Sequence, residues 1–322
     1  MRALASPNAL KGVLSAPEAA DALVRGFRRG GVEAGAVPVA DGGDGTGEVL
    51  AAVLGGEWRT VRVADPLGRP HEARWLVLPD GTAVVEAAEA IGLRLLRVEE
   101  LDPFRATSRG LGELMLAALE ERPSSLLVCL GGSATVDGGA GLREVVTALP
   151  AGTRVACDVA APLLGERGAA RAFGPQKGAS PATVEELERR LAAIPELEPY
   201  AALPGAGAAG GLGAALAALG ATLVAGAELV LDVVGFRERL AGAELIVTGE
   251  GIVDRTTADG KAPSAVLGAC RERGVRCVVF GGRVVEPLAG AETYELSGRP
   301  ESAAEDLTAL GEELAASLVR FA

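Results

Sequence analysis

Histidine is almost absent from this sequence: His71 is the only one in 322 residues. Ser-His-Asp and Cys-His mechanisms lose their general base with it, and His71, in a turn-flanked strand segment, reads as a surface residue. Positive charge is also short. Lysine and arginine total 31 against 43 aspartates and glutamates, a net charge of −12. That argues against a nucleic-acid or anionic-membrane partner, either of which calls for a basic face, while leaving room for a small anionic substrate held by a local group of lysines. The four cysteines, Cys129, Cys157, Cys270 and Cys277, lie mostly in apolar runs without metal-type spacing, so they read as buried thiols of a reducing compartment. There is no apolar run of 18 residues and no signal-peptide hydrophobic region, and a soluble cytoplasmic protein is expected. Aromatic residues make up only 3%, against 45 glycines, so the core falls to alanine, leucine and valine.

What is present is a β-α rhythm. A chain of 322 residues exceeds what one core usually supports, so two domains are expected. Residues 2–6 read as a strand and 16–31 as a helix, with Ser15 as N-cap, Glu18 completing a capping box and Gly30 and Gly31 ending it. A strand over 33–40 and a helix over 45–56 follow. Residues 58–88 change character: "EWRTVRVAD", "HEARWLVLP" and "TAVVEAA", joined through "PLGRP" and "PDG", read as antiparallel strands with tight turns. Helix-strand alternation resumes at 109, residues 180–194 read as a capped, solvated helix, and the parallel pattern returns from 240. The expected architecture is therefore a doubly wound domain built from 1–57 and 238–322, with a mixed α/β domain, 58–237, inserted into it.

Four glycine-rich stretches follow a strand or open a helix: "VADGGDGTGE" (39–48), "LGGSATVDGGAG" (130–141), "PGAGAAGGLG" (204–213) and "TGEGIVDRTTADGK" (248–261). Glycine lets backbone N–H groups approach an anion, and a following helix N-terminus favours negative charge. One such stretch alone reads as a turn. Three of them also carry acids together with Ser or Thr, a combination suited to phosphate with Mg²⁺. "GAGAAG" (205–210) matches a dinucleotide fingerprint only in letters, because no convincing strand precedes it; a tight helix start against a neighbouring backbone is expected instead. "DGKAP" lacks the earlier glycine and the Ser/Thr of a Walker A loop. With histidine excluded, phosphoryl transfer fits a chemistry of Asp, Lys and metal, since it needs mainly positioning and charge neutralisation. Lys11 and Lys177 stand out as lysines flanked by glycine and proline in loops.

In order along the chain, "SPNALKGVLSAPEAADAL", "VPVADGGDGT", "DPLGRP", "GGSATVDGGAG", "ACDV", "FGPQKGA", "PGAGAAGGLGAAL" and "TGEGIVDRTTADGKAP" resemble successive blocks of the glycerate kinase family that lacks a P-loop. The resemblance implies ATP- and Mg²⁺-dependent phosphorylation of D-glycerate, most often on the 2-hydroxyl, giving 2-phosphoglycerate or else 3-phosphoglycerate. It also implies a flavodoxin-like domain with a second α/β domain inserted. Under it, Asp41 and Asp44 would organise Mg²⁺ or act as base toward the substrate hydroxyl, and Lys11 would pair with the transferring phosphoryl group or the substrate carboxylate. Asn8, Gly42, Gly43, Gly131, Gly132, Ser133, Asp137 and Lys177 would line the substrate and phosphate sites. Glu250 or Asp254 would hold Mg²⁺ or its waters, and Lys261 would face nucleotide phosphates.

Three departures stand out. Asn8 and Ala9 replace the usual Asp-Ser, Ala160 and Ala161 replace Asp-Asn, and the segment between 142 and 155 is short. Two other readings stay open: an NAD-dependent 2-hydroxy-acid dehydrogenase, suggested by "GAGAAG", and a non-catalytic metabolite-binding regulator on the same scaffold. Oligomeric state, a homodimer included, is not fixed by the sequence.

Overall fold

The computed structural model describes residues 3–258 and 260–320; Arg2, the first residue of the expected opening strand, lies outside them. The chain forms two compact units, one of residues 1–41, 48–54 and 227–322, the other of 42–47 and 55–226.

The first unit opens with strand β1 (Ala3–Ala5), the helix Ala16–Arg29 and strand β2 (Ala34–Ala36). Ser15 caps the helix as expected: its hydroxyl accepts from the Glu18 N–H, and the Glu18 carboxylate accepts from the Ser15 N–H at 2.8 Å. β2 is shorter than the sequence suggests because pairing with β1 ends at Ala36.

The second unit supplies β3 (Glu57–Ala64), β4 (Pro70–Val77), β5 (Thr82–Glu86), β6 (Ser125–Cys129), β7 (Arg154–Cys157) and β8 (Thr222–Ala225), hydrogen-bonded in that order. The first three are antiparallel through tight turns, and from β5 onward the pairs are parallel. The sheet is mixed because the short connections 65–69 and 78–81 reverse the chain direction, while each later strand is reached by a crossover. One core packs Trp75, Val85, Leu111, Met115 and Leu126; another gathers Val184, Leu187 and Leu191 with Leu163 and Leu197. The helix Pro181–Ala192, expected to be a solvated element, therefore buries one apolar stripe.

Back in the first unit run β9 (Leu245–Val253), β10 (Arg276–Val284) and β11 (Glu292–Glu295), followed by the helix Ala303–Arg320. The sheet order β11-β10-β9-β1-β2 is wholly parallel. Numbered within the unit it is the 2-1-3-4-5 order of flavodoxin-like proteins. The strand order reverses between β1 and β9, and in open parallel sheets ligands bind beyond the strand carboxyl ends at that point. Leu23, Phe27, Val247, Phe280 and Leu314 fill the core beneath it.

β9 corrects one expectation. The stretch 248–261, expected to follow a strand, begins inside one: β9 continues through Val253, with Glu250 opposite Gly281 and Ile252 opposite Arg283. Gly249 does not free the backbone to bend. A Cβ there would stand 2.1 Å from the Phe280 carbonyl oxygen, so glycine is needed for close strand packing.

Candidate active site

In the first unit, the chain leaving β1 stays bonded to β9: the Ser6 N–H donates to Val247 O at 2.7 Å and the Asn8 N–H to Gly249 O at 2.8 Å. This seats Asn8 and Lys11 beside the carboxyl end of β9. A cavity of about 620 Å³ opens there, lined by Lys11, Glu250, Asp254, Lys261, Arg283 and Arg299 among others. Its size falls in the range that takes nucleotide-sized ligands. Two of the chain's exposed large apolar residues, Val13 and Ile252, also face it.

Glu250 is buried, at 6% exposure. Its Oε1 accepts from the Thr257 hydroxyl at 2.7 Å and its Oε2 lies 3.8 Å from Lys261 Nζ. Burial raises its pKa; Thr257 and Lys261 oppose that rise and Asp41 adds to it. Asp254 behaves in the opposite way: the Thr256 hydroxyl, at 2.6 Å, holds its carboxyl below the ordinary range. Lys261 is the N-cap residue of the helix Ala262–Arg273. Asp41 is also buried, with Asn8 Nδ2 at 3.5 Å from its Oδ2. The six site residues expected in this unit are thus gathered at one end of one sheet.

The second unit brings together the other eight. A Cβ on Gly131 would lie 2.4 Å from Gly43 Cα, so the turn after β6 presses against the 42–44 loop. Asp44 stands exposed, 3.7 Å from Arg94 Nε. Beyond Gly132, Ser133 is buried and its hydroxyl accepts from Lys177 Nζ at 3.1 Å. Lys177 is itself only 3% exposed and donates to Thr135 O at 2.8 Å. A second cavity of about 80 Å³ includes Gly131, Gly132, Ser133, Asp158 and Lys177 in its wall. Asp137 faces inward instead: it accepts from the Ser108 N–H and hydroxyl, both at 2.8 Å, and from the N–H groups of Gly139 and Gly141. It braces the glycine loop that carries Ser133.

The sequence reading passed over Glu86. Its carboxyl, at 3% exposure, sits at the end of β5 and accepts from the backbone N–H groups of Thr46 and Gly47. Burial, aided by Asp44, raises its pKa to about 8, and its Oε1 has no partner among the described residues. An acid closing an otherwise apolar strand, "TAVVE", was the signal available.

"GAGAAG" serves packing, as expected. A Cβ on Gly207 would meet Pro162 O at 2.2 Å, and one on Gly210 would meet Thr135 O at 2.0 Å. The residues before it form the 3-10 helix Pro195–Tyr200. The four cysteines are buried and unbridged, and burial raises the Cys157 thiol to about 12. His71 Nε2 lies 3.0 Å from Glu89 O, a structural contact. Among the described residues no helix is long and apolar enough to cross a membrane.

A flavodoxin-like sheet with two lysines and two carboxylates lining a nucleotide-sized cavity at its switch point is an arrangement suited to phosphoryl transfer without a P-loop. Comparison with known proteins makes this specific. The family model described as the glycerate kinase family matches residues 3–152 and 142–299, two stretches that overlap over 142–152. The chain is 40% identical over 314 residues to glycerate 2-kinase of Escherichia coli K12, covering 84% of this chain and 82% of that protein. It is 39% identical over 319 residues to glycerate kinase of Halalkalibacterium halodurans, covering 86% and 84%. A crystal structure of a glycerate kinase 2 from Salmonella typhimurium LT2 superposes with a TM-score of 0.85 at 31% identity, over 99% of this chain and 98% of that one. The chain belongs to the glycerate kinase family, and it is an enzyme of that kind.

Proposed function

We propose that this enzyme transfers the γ-phosphoryl group of ATP to the 2-hydroxyl of D-glycerate, giving 2-phosphoglycerate, in the cytoplasm. The observation that carries the reading is the cavity at the β1/β9 switch point, where Lys11, Lys261, Glu250 and Asp254 converge. A triphosphate needs cations and, through a metal, carboxylates; this wall offers both.

The donor set fits Mg²⁺. That ion takes hard oxygen ligands, commonly one or two carboxylates with substrate phosphates and water rather than a protein cage. Glu250 and Asp254 supply two carboxylates on one wall. When bound, Mg²⁺ would neutralise phosphate charge. Lys261 then faces the nucleotide phosphates, and the Lys11 ammonium meets the charge that develops on the transferring group. Asp41 or Asp44 accepts the proton of the attacking hydroxyl. Ser133, Lys177 and the backbone of Gly131 and Gly132 hold carboxylate or phosphate oxygens, with Gly42 and Gly43 letting the acidic loop approach.

Phosphorus NMR of a reaction containing ATP, Mg²⁺ and D-glycerate tests this. The expected new signal is that of 2-phosphoglycerate. A signal from the 3-isomer alone would overturn the regiochemistry, and no phosphoglycerate at all would overturn the reading.

A further inference from the structure

The stretch "EAAEA" (86–90), where β5 passes into the helix Ala87–Ile91, carries two acids among alanines, and all of it is buried. Buried carboxylates are costly unless they are well occupied, so what these two hold is informative. Glu86 accepts from the N–H groups of Thr46 and Gly47, the first residues of the helix Thr46–Leu54. The approach needs glycine: a Cβ on Gly47 would stand 3.1 Å from Glu86 Oε2 and 2.8 Å from Trp58 Cη2. Glu89, at 8% exposure, is held by two arginines. Its Oε1 accepts from Arg94 Nη2 at 2.9 Å and from Arg74 Nε at 3.3 Å. Each arginine has a second engagement. Arg74 lies over the Trp58 ring at 4.2 Å, the ring that abuts Gly47. Arg94 turns its Nε toward Asp44 Oδ2, 3.7 Å away. From within the turn, the Thr46 hydroxyl donates to Gly43 O at 2.7 Å. Both buried acids thus end on the same short segment, 44–47.

We propose that Glu89 and Arg94 are positioning residues for the reaction: Glu89 fixes the Arg94 guanidinium, and Arg94 fixes the carboxylate of Asp44 in the acidic loop. The assignment rests on the glycerate kinase reading, in which that loop carries a candidate base. Stability does not explain the outer pair. The Arg94 and Asp44 side chains are 47% and 45% exposed, and an ion pair so open to water adds little to the fold. What it restricts is conformation. An aspartate on an exposed loop has several staggered wells to choose from, whereas a group that meets a reacting atom has to be held close to one geometry. Arginine suits the task because its planar fork engages two carboxylates at once; lysine offers only a point charge. Anchored on a buried acid at one end, Arg94 carries the rigidity of the core out to the loop.

Crystal structures and a kinetic double-mutant cycle, both on the full chain, test the proposal. In Arg94→Gln the Asp44 carboxylate should leave its position or lose its density while Thr46 and Glu86 stay in place. An Asp44 carboxylate unmoved in that variant would overturn the proposal. In turnover, Arg94→Gln should lower kcat roughly 10-fold or more, within the range of a catalytic group displaced by a fraction of its bond length, with the urea midpoint little changed. The loss should vanish once Asp44 is replaced, so that Asp44→Asn with Arg94→Gln matches Asp44→Asn alone. The same factor lost in both backgrounds would mean that Arg94 does not act through Asp44, and the proposal would fall. Glu89→Gln should reproduce the Asp44-dependent loss; if it does not fold, the Arg94 variants decide the matter by themselves. Absence of D-glycerate-dependent ADP release from the unmodified enzyme would sink the kinase reading instead, and the Arg94→Gln crystal structure would still decide whether Arg94 fixes Asp44.

Discussion

Glu86 and Lys177 are two buried groups whose pKa values have moved toward neutrality, and for Glu86 this has a consequence for stability. Glu86 holds its proton up to about pH 8 in the fold, against an ordinary value of 4.5. The native state thus binds more protons than the unfolded chain between those values, and this residue's contribution to stability falls as pH rises through that window and levels off beyond it. Glu86→Gln should remove the fall. The variant should gain on the unmodified enzyme between about pH 5 and 8, with a slope of at most about 1.4 kcal/mol per pH unit, as read from urea midpoints at several pH values. A constant difference across that range would mean Glu86 is ionised throughout. Lys11 is the catalytic test at this scale. Lys11→Met should lower kcat roughly 10²-fold or more, the scale of removing one group that stabilises transition-state charge, with unchanged circular dichroism. Wild-type turnover would make Lys11 surface charge only. Lys11 was legible because it stands between a strand and a helix in a glycine-flanked loop. The burial of Lys177 was not. "GPQKG" reads as an exposed turn, lysine being rarely buried, and its partner Ser133 lies 44 residues away.

At the scale of elements, β9 shows how glycine can mislead. "LIVTGEGIV" keeps its apolar residues up to Val253, but two glycines in a strand look like punctuation. Only the neighbouring β10, with the Phe280 carbonyl against Gly249, reveals that they permit a close approach. The consequence is functional, since Glu250 is held by a strand and Asp254 by the turn after it. Asp254→Asn should reduce activity at limiting Mg²⁺ and regain much of it at raised Mg²⁺, a neutral oxygen retaining some affinity. Lys261→Ala should raise the KM for ATP more than that for glycerate. Wild-type kinetics for both variants at limiting Mg²⁺ and ATP would reduce this turn to a structural one. A second glycine matters for folding. Gly210 has φ +71° and stands against Thr135 O, so Gly210→Ala should destabilise by about 1–3 kcal/mol from backbone strain alone; an unchanged urea midpoint would contradict that.

On the scale of the molecule, local patterning carried far. The capping box at Ser15, the turns at "PLGRP" and "PDG", and the β-α alternation each depend on neighbours in sequence, and each lies where the chain pattern put it. Strand order depends on pairing between distant segments, so the reversal between β1 and β9, which locates the larger cavity, had to come from the fold. The same holds for the meeting of Gly43 with Gly131. The reaction proposed for this enzyme is the phosphorylation of D-glycerate by ATP. A coupled assay of ADP release, with and without D-glycerate in the presence of Mg²⁺, measures it most directly. Release should depend on D-glycerate and be lost in Lys11→Met; ADP release no faster with D-glycerate than with water would contradict the proposed reaction.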